Sequence, residues 1–115
     1  MNIVVIGVGY VGLITGLGLS KLNHKVHFLD IDSEKINKLK KSTAPFYEPE
    51  LENYLNNEGL KNSIDFTHNY DLINWKETDI IMICVQTPSL ENDEINLSFL
   101  NDVFQEIEKH ASKHS

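Results

Sequence analysis

The strongest constraint on this sequence is the spacing of three glycines near its beginning. Gly7, Gly9 and Gly12 form the pattern G-x-G-x-x-G. A β-branched run from Asn2 to Ile6 precedes them, and the segment from Val11 to Leu22 that follows is predicted to be a helix. A strand, a glycine turn and a helix in this order are the context in which the pattern binds the phosphates of a dinucleotide.

Each glycine has a separate physical task in that context. Gly7 lets the chain turn sharply off the strand, Gly9 lets a pyrophosphate approach the backbone, and Gly12 lets the helix pack close to the strand. The N–H groups at the start of the helix then face the phosphates, and the helix dipole favours their negative charge. The alternative interpretation is that Gly7 to Gly12 form a flexible turn with no role in binding.

An acidic residue stands where such a site needs one. Asp30 ends a second predicted strand, Lys25 to Leu29, and lies 18 residues after Gly12. A carboxylate there accepts hydrogen bonds from the adenosine ribose and repels a 2′-phosphate. All ten basic residues are lysines, so no arginine is present to hold that phosphate, and NAD is favoured over NADP. Lys35 is the nearby cation for the ribose or phosphate edge.

The rest of the chain alternates between helical and extended patterns. The predicted elements are a helix from Ser33, its N-cap, to Lys41; a short helix from Leu51 to Asn57, ended by Gly59; a strand from Ile64 to Thr67; a helical turn from Asp71 to Trp75; a buried strand from Ile80 to Val85; and an amphipathic helix from Leu97 to Lys109 on Leu100, Val103, Phe104 and Ile107.

Strands that alternate with helices pair in parallel through right-handed crossovers. The predicted fold class is therefore α/β, a Rossmann-type parallel sheet with helices on both faces. About four strands are present, where a full Rossmann sheet has about six. We expect an uncovered sheet edge, with marginal stability or self-association through it as the consequence.

Composition excludes several other classes. A formal net charge of −7 disfavours nucleic-acid binding. The uncharged run from Ile3 to Leu19 contains five glycines and no preceding basic cluster, which disfavours a membrane span or a signal sequence. The single cysteine, Cys84, allows no intrachain disulfide, which fits a reducing compartment and a cytoplasmic location.

Three groups of residues have the chemistry of a nucleophile, a metal site or a proton-transfer pair, but we do not assign them these roles. Cys84 lies in an apolar run and is interpreted as a core residue. Glu106, His110 and His114 have helical metal-site spacing, but cationic side chains near a helix end are expected from the helix dipole alone. Glu48 and Glu50 flank Pro49 in a loop and receive no proton-transfer role. No catalytic residue and no metal ligand are therefore predicted.

Three motifs in order resemble the UDP-glucose/GDP-mannose dehydrogenase family along almost the whole chain. The first is Gly7 to Leu13, which contains the Gly-Tyr-Val-Gly typical of that family. The second is Pro45 to Leu51, similar to Pro-x-Tyr-Glu-Pro-Gly-Leu, whose tyrosine points to the UDP-glucose branch. The third is Val85 to Ser89, similar to Val-x-Thr-Pro, followed by Asn96 to Phe99.

The resemblance implies a set of cofactor-binding residues. The backbone from Gly7 to Gly12 would hold the pyrophosphate, Asp30 and Lys35 would contact the adenosine ribose, and three residues after the fourth strand would line the cofactor near the nicotinamide. The complete set is Gly7, Val8, Gly9, Tyr10, Val11, Gly12, Asp30, Lys35, Val85, Thr87 and Ser89.

The sequence departs from the family pattern at three loop positions. Ser42 and Glu50 replace glycines, and Asp93 stands where a turn glycine is common. Where such a position requires positive φ, the departure strains the loop modestly.

The resemblance also implies an activity. The family's enzymes oxidise the C6 alcohol of a nucleotide sugar to the carboxylate with two NAD per turnover and a downstream cysteine nucleophile. Residues 1–115 therefore correspond to an incomplete N-terminal NAD-binding domain, with the nucleotide-sugar substrate held by a missing C-terminal part, and this chain alone is expected to be inactive.

Two alternatives remain. One is an NAD-binding module without turnover. The other is the cofactor domain of a different dehydrogenase, such as a hydroxyacid type, which the second and third motifs disfavour.

Overall fold

A computed structural model describes residues 1–45, 50–85 and 97–114 of the 115-residue chain. In chain order the elements are β1 (Asn2–Ile6), α1 (Tyr10–Lys21), β2 (Lys25–Leu29), α2 (Ser33–Lys40), α3 (Leu51–Leu55), α4 (Glu58–Lys61), β3 (Ile64–Thr67), two 3-10 turns (Tyr70–Leu72 and Trp75–Glu77), β4 (Ile80–Ile83) and α5 (Ser98–His114).

The four strands form one parallel sheet in the order β3-β2-β1-β4. In its register, Val4 lies between His27 of β2 and Ile81 of β4. The chain runs outward from β1 to β3 and then crosses back to β4. The strand order therefore reverses beside β1, and the carboxyl ends of β1 and β4 meet there, which confirms the predicted Rossmann-type class.

Each face of the sheet buries its own apolar core. On the first face α1, α2 and α3 cover the β1 and β2 side chains Ile3, Val5, Val26 and Phe28. On the second face, the two 3-10 turns and α5 cover Val4, Ile6 and Leu29. Helical elements on both faces are what the alternating sequence pattern predicts.

Three predictions about helices were wrong in detail. The N-cap of α2 is Asp32, whose carboxylate accepts the Lys35 N–H, and Ser33 is the first helical residue. Gly59 does not end a helix but lies inside α4, which Asn57 caps. Phe104 points outward from α5 and is 52% exposed.

The fourth strand also differs from expectation. The apolar run from Ile80 to Val85 predicts a strand covered on both sides, yet β4 ends at Ile83 and lies at the edge of the described sheet. Ile80 and Ile81 are consequently more than a third exposed. In the described ranges, no helix combines the length and the apolar character that a membrane crossing requires.

Candidate functional site

The turn between β1 and α1 requires glycine at two positions for different reasons. Gly7 has a φ of +95°, and a Cβ at this position would lie 2.7 Å from the carbonyl carbon of Cys84. A Cβ on Gly12 would overlap the carbonyl oxygen of Gly7. The turn, the start of α1 and the end of β4 are therefore packed backbone against backbone, as the sequence predicts.

The start of α1 is open to an incoming anion. Gly9 is the N-cap and has no side chain to accept the first amides of the helix, and no heavy atom lies within 4 Å of where its Cβ would be. The first turn closes when the Leu13 N–H donates to the Gly9 carbonyl at 3.0 Å. The amides of Val11 and Gly12 precede that bond, where a phosphate is favoured.

Asp30 lies beside this turn and is already engaged. Its Oδ2 accepts the Val8 N–H at 2.8 Å and lies 3.2 Å from the Lys35 ammonium. Its Oδ1 accepts the Asp32 N–H at 2.9 Å. The side chain of Asp30 is only 12% exposed, so these charge-assisted contacts lie in a partly shielded environment.

An open cleft of about 860 Å³ extends from the glycine turn past Asp30 to α5. The sequence argument located one wall of this cleft and missed the other. The missed wall follows β3 and runs along α5. It includes Asn69, Tyr70, Asp71, Phe99, Asp102, Val103, Glu106 and His110. Two signals pointed to it, the end of β3 at the same sheet edge and the apolar stripe of α5.

Aromatic rings hold the missed wall together. The ring of His110 stacks on Tyr70 at 5.7 Å and on Trp75 at 6.0 Å, and the Trp75 indole N–H donates to the Tyr70 carbonyl at 2.9 Å. Burial, with the nearby carboxylates of Glu106 and Asp30 adding to it, raises the pKa of Tyr70 to about 12. The Tyr70 phenol therefore keeps its proton at neutral pH and remains a hydrogen-bond donor.

The fourth strand contributes two neighbouring residues with different properties. Val85 follows β4, is half-buried and lines the cleft. Cys84 is partly buried and packs against the first-face core, in agreement with its interpretation as a core residue, and it also lines the cleft. Burial raises the pKa of the Cys84 thiol, which disfavours the nucleophilic thiolate. The predicted contacts Thr87 and Ser89 lie outside the described residues.

The residues that invited other roles have structural explanations where the structure describes them. His110 is 4% exposed, and its ring nitrogens lie 3.4 Å from Asp71 and 3.5 Å from Glu106. Within the described ranges, no three His, Cys, Asp or Glu residues are grouped to hold a metal ion. Glu50 is the N-cap of α3. Glu48 and the side chain of His114 lie outside the described part.

Two of the three loop departures can be located. Ser42 has a φ of 59°, a left-handed conformation that costs a non-glycine residue about 1 to 2 kcal/mol. Its hydroxyl donates to the Leu55 carbonyl at 3.3 Å, which offsets part of that cost. Glu50 has a φ of −87° and is unstrained. The expected strain therefore applies to Ser42 and not to Glu50, while Asp93 lies outside the described residues.

A glycine turn that opens a helix where the strand order reverses, with an acid at the end of the neighbouring strand, defines a dinucleotide-binding domain. Comparison with known families is consistent with this class. The family model described as "UDP-glucose/GDP-mannose dehydrogenase family, NAD binding domain" matches residues 1–115. The chain belongs to this family as an NAD-binding domain, and its cofactor is NAD.

Individual dehydrogenases are similar to the chain in sequence and in fold. The chain is 38% identical to a UDP-glucose 6-dehydrogenase of Bacillus subtilis and 40% identical to one of Rickettsia prowazekii, each over 98% of its own length. Its fold matches a solved GDP-mannose dehydrogenase from Pseudomonas aeruginosa with a TM-score of 0.84 and 32% identity, covering 93% of this chain and 24% of that one. The chain spans about a quarter of the curated relatives it matches, 26% in both cases.

Proposed function

We propose that this chain is the NAD-binding part of a nucleotide-sugar dehydrogenase that oxidises the C6 alcohol of a UDP-sugar, UDP-glucose, to the carboxylate. The names of the relatives support this substrate, and the tyrosine-bearing motif from Pro45 to Leu51 supports the same branch. The observation that carries the cofactor part is the position of Asp30 beside the open start of α1. On this proposal, residues 1–115 are an incomplete N-terminal domain, and the substrate is held by a C-terminal part outside it.

We assign the cofactor contacts to three regions. The start of α1 holds the pyrophosphate through backbone amides and the glycine turn lies against it. Asp30 accepts the adenosine ribose hydroxyls, and Lys35 lies at their edge. Val85, Thr87 and Ser89 line the nicotinamide side. The complete proposed set is Gly7, Val8, Gly9, Tyr10, Val11, Gly12, Asp30, Lys35, Val85, Thr87 and Ser89.

When bound, NAD supplies the hydride acceptor, and the residues of this chain supply binding and orientation. The backbone amides at the start of α1 fix the phosphates without an arginine. The Asp30 carboxylate selects a free 2′-hydroxyl, because a 2′-phosphate would bring two negative groups together. Burial raises the pKa of the Cys84 thiol, which disfavours the thiolate, so we assign Cys84 no nucleophilic role.

Calorimetric titration with NAD and NADP tests the cofactor assignment. We expect NAD to bind and NADP to bind much more weakly. Replacing Asp30 by Ala should weaken NAD binding by roughly 10- to 100-fold, because hydrogen bonds to a charged group contribute about 1.5 to 3 kcal/mol. Glu34→Ala is the matched control, since it removes the same charge from an exposed position on α2. Equal effects of the two variants would contradict the ribose role of Asp30.

A turnover assay tests whether the chain alone has the activity proposed for the whole dehydrogenase. With UDP-glucose and NAD, the 115-residue chain should produce no NADH, since the substrate-binding part and the nucleophile lie elsewhere. Its own activity is then NAD binding alone. Detectable NADH formation by the purified chain would contradict the proposal that substrate binding and the nucleophile lie outside residues 1–115.

We further propose that the chain self-associates through the outer edge of β4. That edge has no partner strand within the described ranges, and Ile80 and Ile81 beside it are 39% and 36% exposed. Exposed apolar edge strands are prone to pair with another chain.

We place the protein in the cytoplasm. The support is its cysteine content, because a single thiol that is half-buried forms no stabilising intrachain disulfide. Fractionation of cells that express a tagged chain tests this, and recovery outside the cytoplasmic fraction would contradict it.

A further inference from the structure

Asp30 makes contacts that a ribose acceptor alone does not require. The Val8 amide that its carboxylate accepts belongs to the glycine turn, 22 residues away in sequence. The adjacent amide, that of Gly7, donates to the Leu29 carbonyl at 2.8 Å. Two consecutive amides of the turn are therefore attached to the end of β2, one through backbone and one through the Asp30 side chain.

The orientation of the Val8 amide affects the phosphate site. Because this N–H points to Asp30, it is turned away from a phosphate at the helix start, which leaves that task to amides further along, such as those of Val11 and Gly12. The Val8 side chain is fully buried, so packing and the hydrogen bond hold the residue together. Gly7 and Gly9 on either side lack the side chains that restrict backbone torsions.

We propose that Asp30 is a positioning residue for the glycine turn as well as a ribose acceptor. Its carboxylate holds the turn, before the cofactor arrives, in the shape that receives a pyrophosphate. This inference rests on the proposed NAD-binding function. Without the carboxylate, the turn samples other conformations, and a ligand then has to order it on binding, which lowers affinity.

The two roles predict opposite results for a ligand without ribose hydroxyls. Because 2′,3′-dideoxy-ADP has no 2′- or 3′-hydroxyl, loss of Asp30 as a ribose acceptor does not directly change the affinity for this ligand. Removing a negative charge near a pyrophosphate strengthens binding by electrostatics alone. Loss of the contact between the Asp30 carboxylate and the Val8 amide weakens binding of the ligand. The sign of the change in affinity therefore separates positioning from both of the other effects.

The experiment compares the wild-type chain with Asp30→Ala and Glu34→Ala, using ADP and 2′,3′-dideoxy-ADP as calorimetric ligands. We expect Asp30→Ala to weaken dideoxy-ADP binding roughly 5- to 20-fold, equivalent to one hydrogen bond of about 1 to 1.8 kcal/mol. Glu34→Ala should leave it unchanged or slightly tighter. Unchanged or tighter binding by Asp30→Ala would overturn the positioning role.

Amide hydrogen exchange without ligand gives a second, independent measurement. The Val8 amide should exchange at least tenfold faster in Asp30→Ala than in the wild type. The amides of Ile6 in β1 and Val26 in β2 should keep their wild-type rates and show that the domain is folded. Unchanged exchange at Val8 would refute the inference. If the wild type binds neither nucleotide, the proposed function fails, and the Val8 exchange rate still decides whether Asp30 holds the turn.

Discussion

Carboxylates at the ends of the strands act through the particular partners that surround them. Asp30 accepts two backbone amides and pairs with Lys35 in a shielded position. Asp65, on β3, is 61% exposed and instead contacts the His27 imidazole on β2, where its Oδ2 lies 2.8 Å from Nδ1. We propose that the first arrangement shapes the cofactor site, and we expect the second to make stability depend on pH.

The His27 pair should stabilise the fold only while the imidazole is protonated. The hydrogen bond with Asp65 is the largest cause that raises the pKa of His27 above 6.5, and burial opposes it. A raised folded-state pKa means that the stabilisation is complete below about 6.5 and is lost as the pH rises through the raised value. Asp65→Asn should therefore lower the free energy of unfolding near pH 6 by about 0.5 kcal/mol, the size of an exposed pair, with the difference vanishing at higher pH.

Urea unfolding between about pH 6 and 8.5 measures this difference. The control is Glu34→Gln, which makes the same kind of change at an exposed position on α2, away from the His27 pair, so its effect on stability should not vary with pH. A pH-independent effect of Asp65→Asn would show that the pair does not stabilise the folded state.

Among the elements, α1 shows how one sequence pattern can have two structural outcomes. Gly16 and Gly18 both lie within this helix. Because glycine weakens a helix interior, the sequence predicts that both are present to allow close packing on the sheet. A Cβ on Gly16 would overlap the ring of Phe28, which is fully buried and stacks on Phe66 at 5.0 Å. Gly18 faces outward, with no heavy atom within 4 Å of where its Cβ would be. The expectation is confirmed for Gly16 and wrong for Gly18.

The two glycines should respond to alanine with opposite signs. Gly16→Ala forces the buried Phe28 ring to move and should destabilise the domain by about 1 to 3 kcal/mol. Gly18→Ala adds a methyl group in open space and should stabilise it by about 0.5 to 1 kcal/mol, because glycine disfavours a helix interior. Chemical denaturation of the two variants makes each the control of the other. Destabilisation by Gly18→Ala would mean that its outer face is covered in solution.

For the molecule as a whole, the edge formed by β4 is where we propose that one chain associates with another. The first-face and second-face cores are both closed over β1 and β2, whereas the side chains of β4 are only partly covered. An exposed parallel strand with free backbone groups is a template for pairing. Association through this edge also makes apparent stability depend on protein concentration.

A charged side chain at that edge should reduce association. Ile81→Lys introduces a charge beside the unpaired side of β4 and should shift sedimentation velocity profiles towards the monomer at high protein concentration. Leu72→Lys makes the same change at a residue that is 69% exposed on a 3-10 turn, and should leave the profile unchanged. A wild-type chain that stays monomeric with a high melting temperature would contradict association through β4.

The strands β1, β2 and β3, the cofactor and one wall of the cleft could be predicted from local sequence patterns. The bounds of β1, β2 and β3 follow from short apolar or β-branched runs that glycine, polar and capping residues interrupt, which are local signals. Gly7, Gly12 and Asp30 are identifiable because a close backbone approach and a strand-end carboxylate require particular residue types at a particular spacing. The resemblance to the NAD-binding family rests on three local motifs, Gly7 to Leu13, Pro45 to Leu51 and Val85 to Ser89, and the family model over residues 1–115 shows the membership.

Only the tertiary structure decided which side chains meet. The Val8 amide on Asp30, the ring of His110 against Tyr70 and Trp75, and the outward direction of Phe104 all depend on how elements distant in sequence pack together. A periodic pattern marks the apolar stripe of a helix but does not say how wide the covered part of that stripe is. Packing geometry therefore decides which side chains and amides form long-range contacts. A local sequence pattern does not contain that geometry.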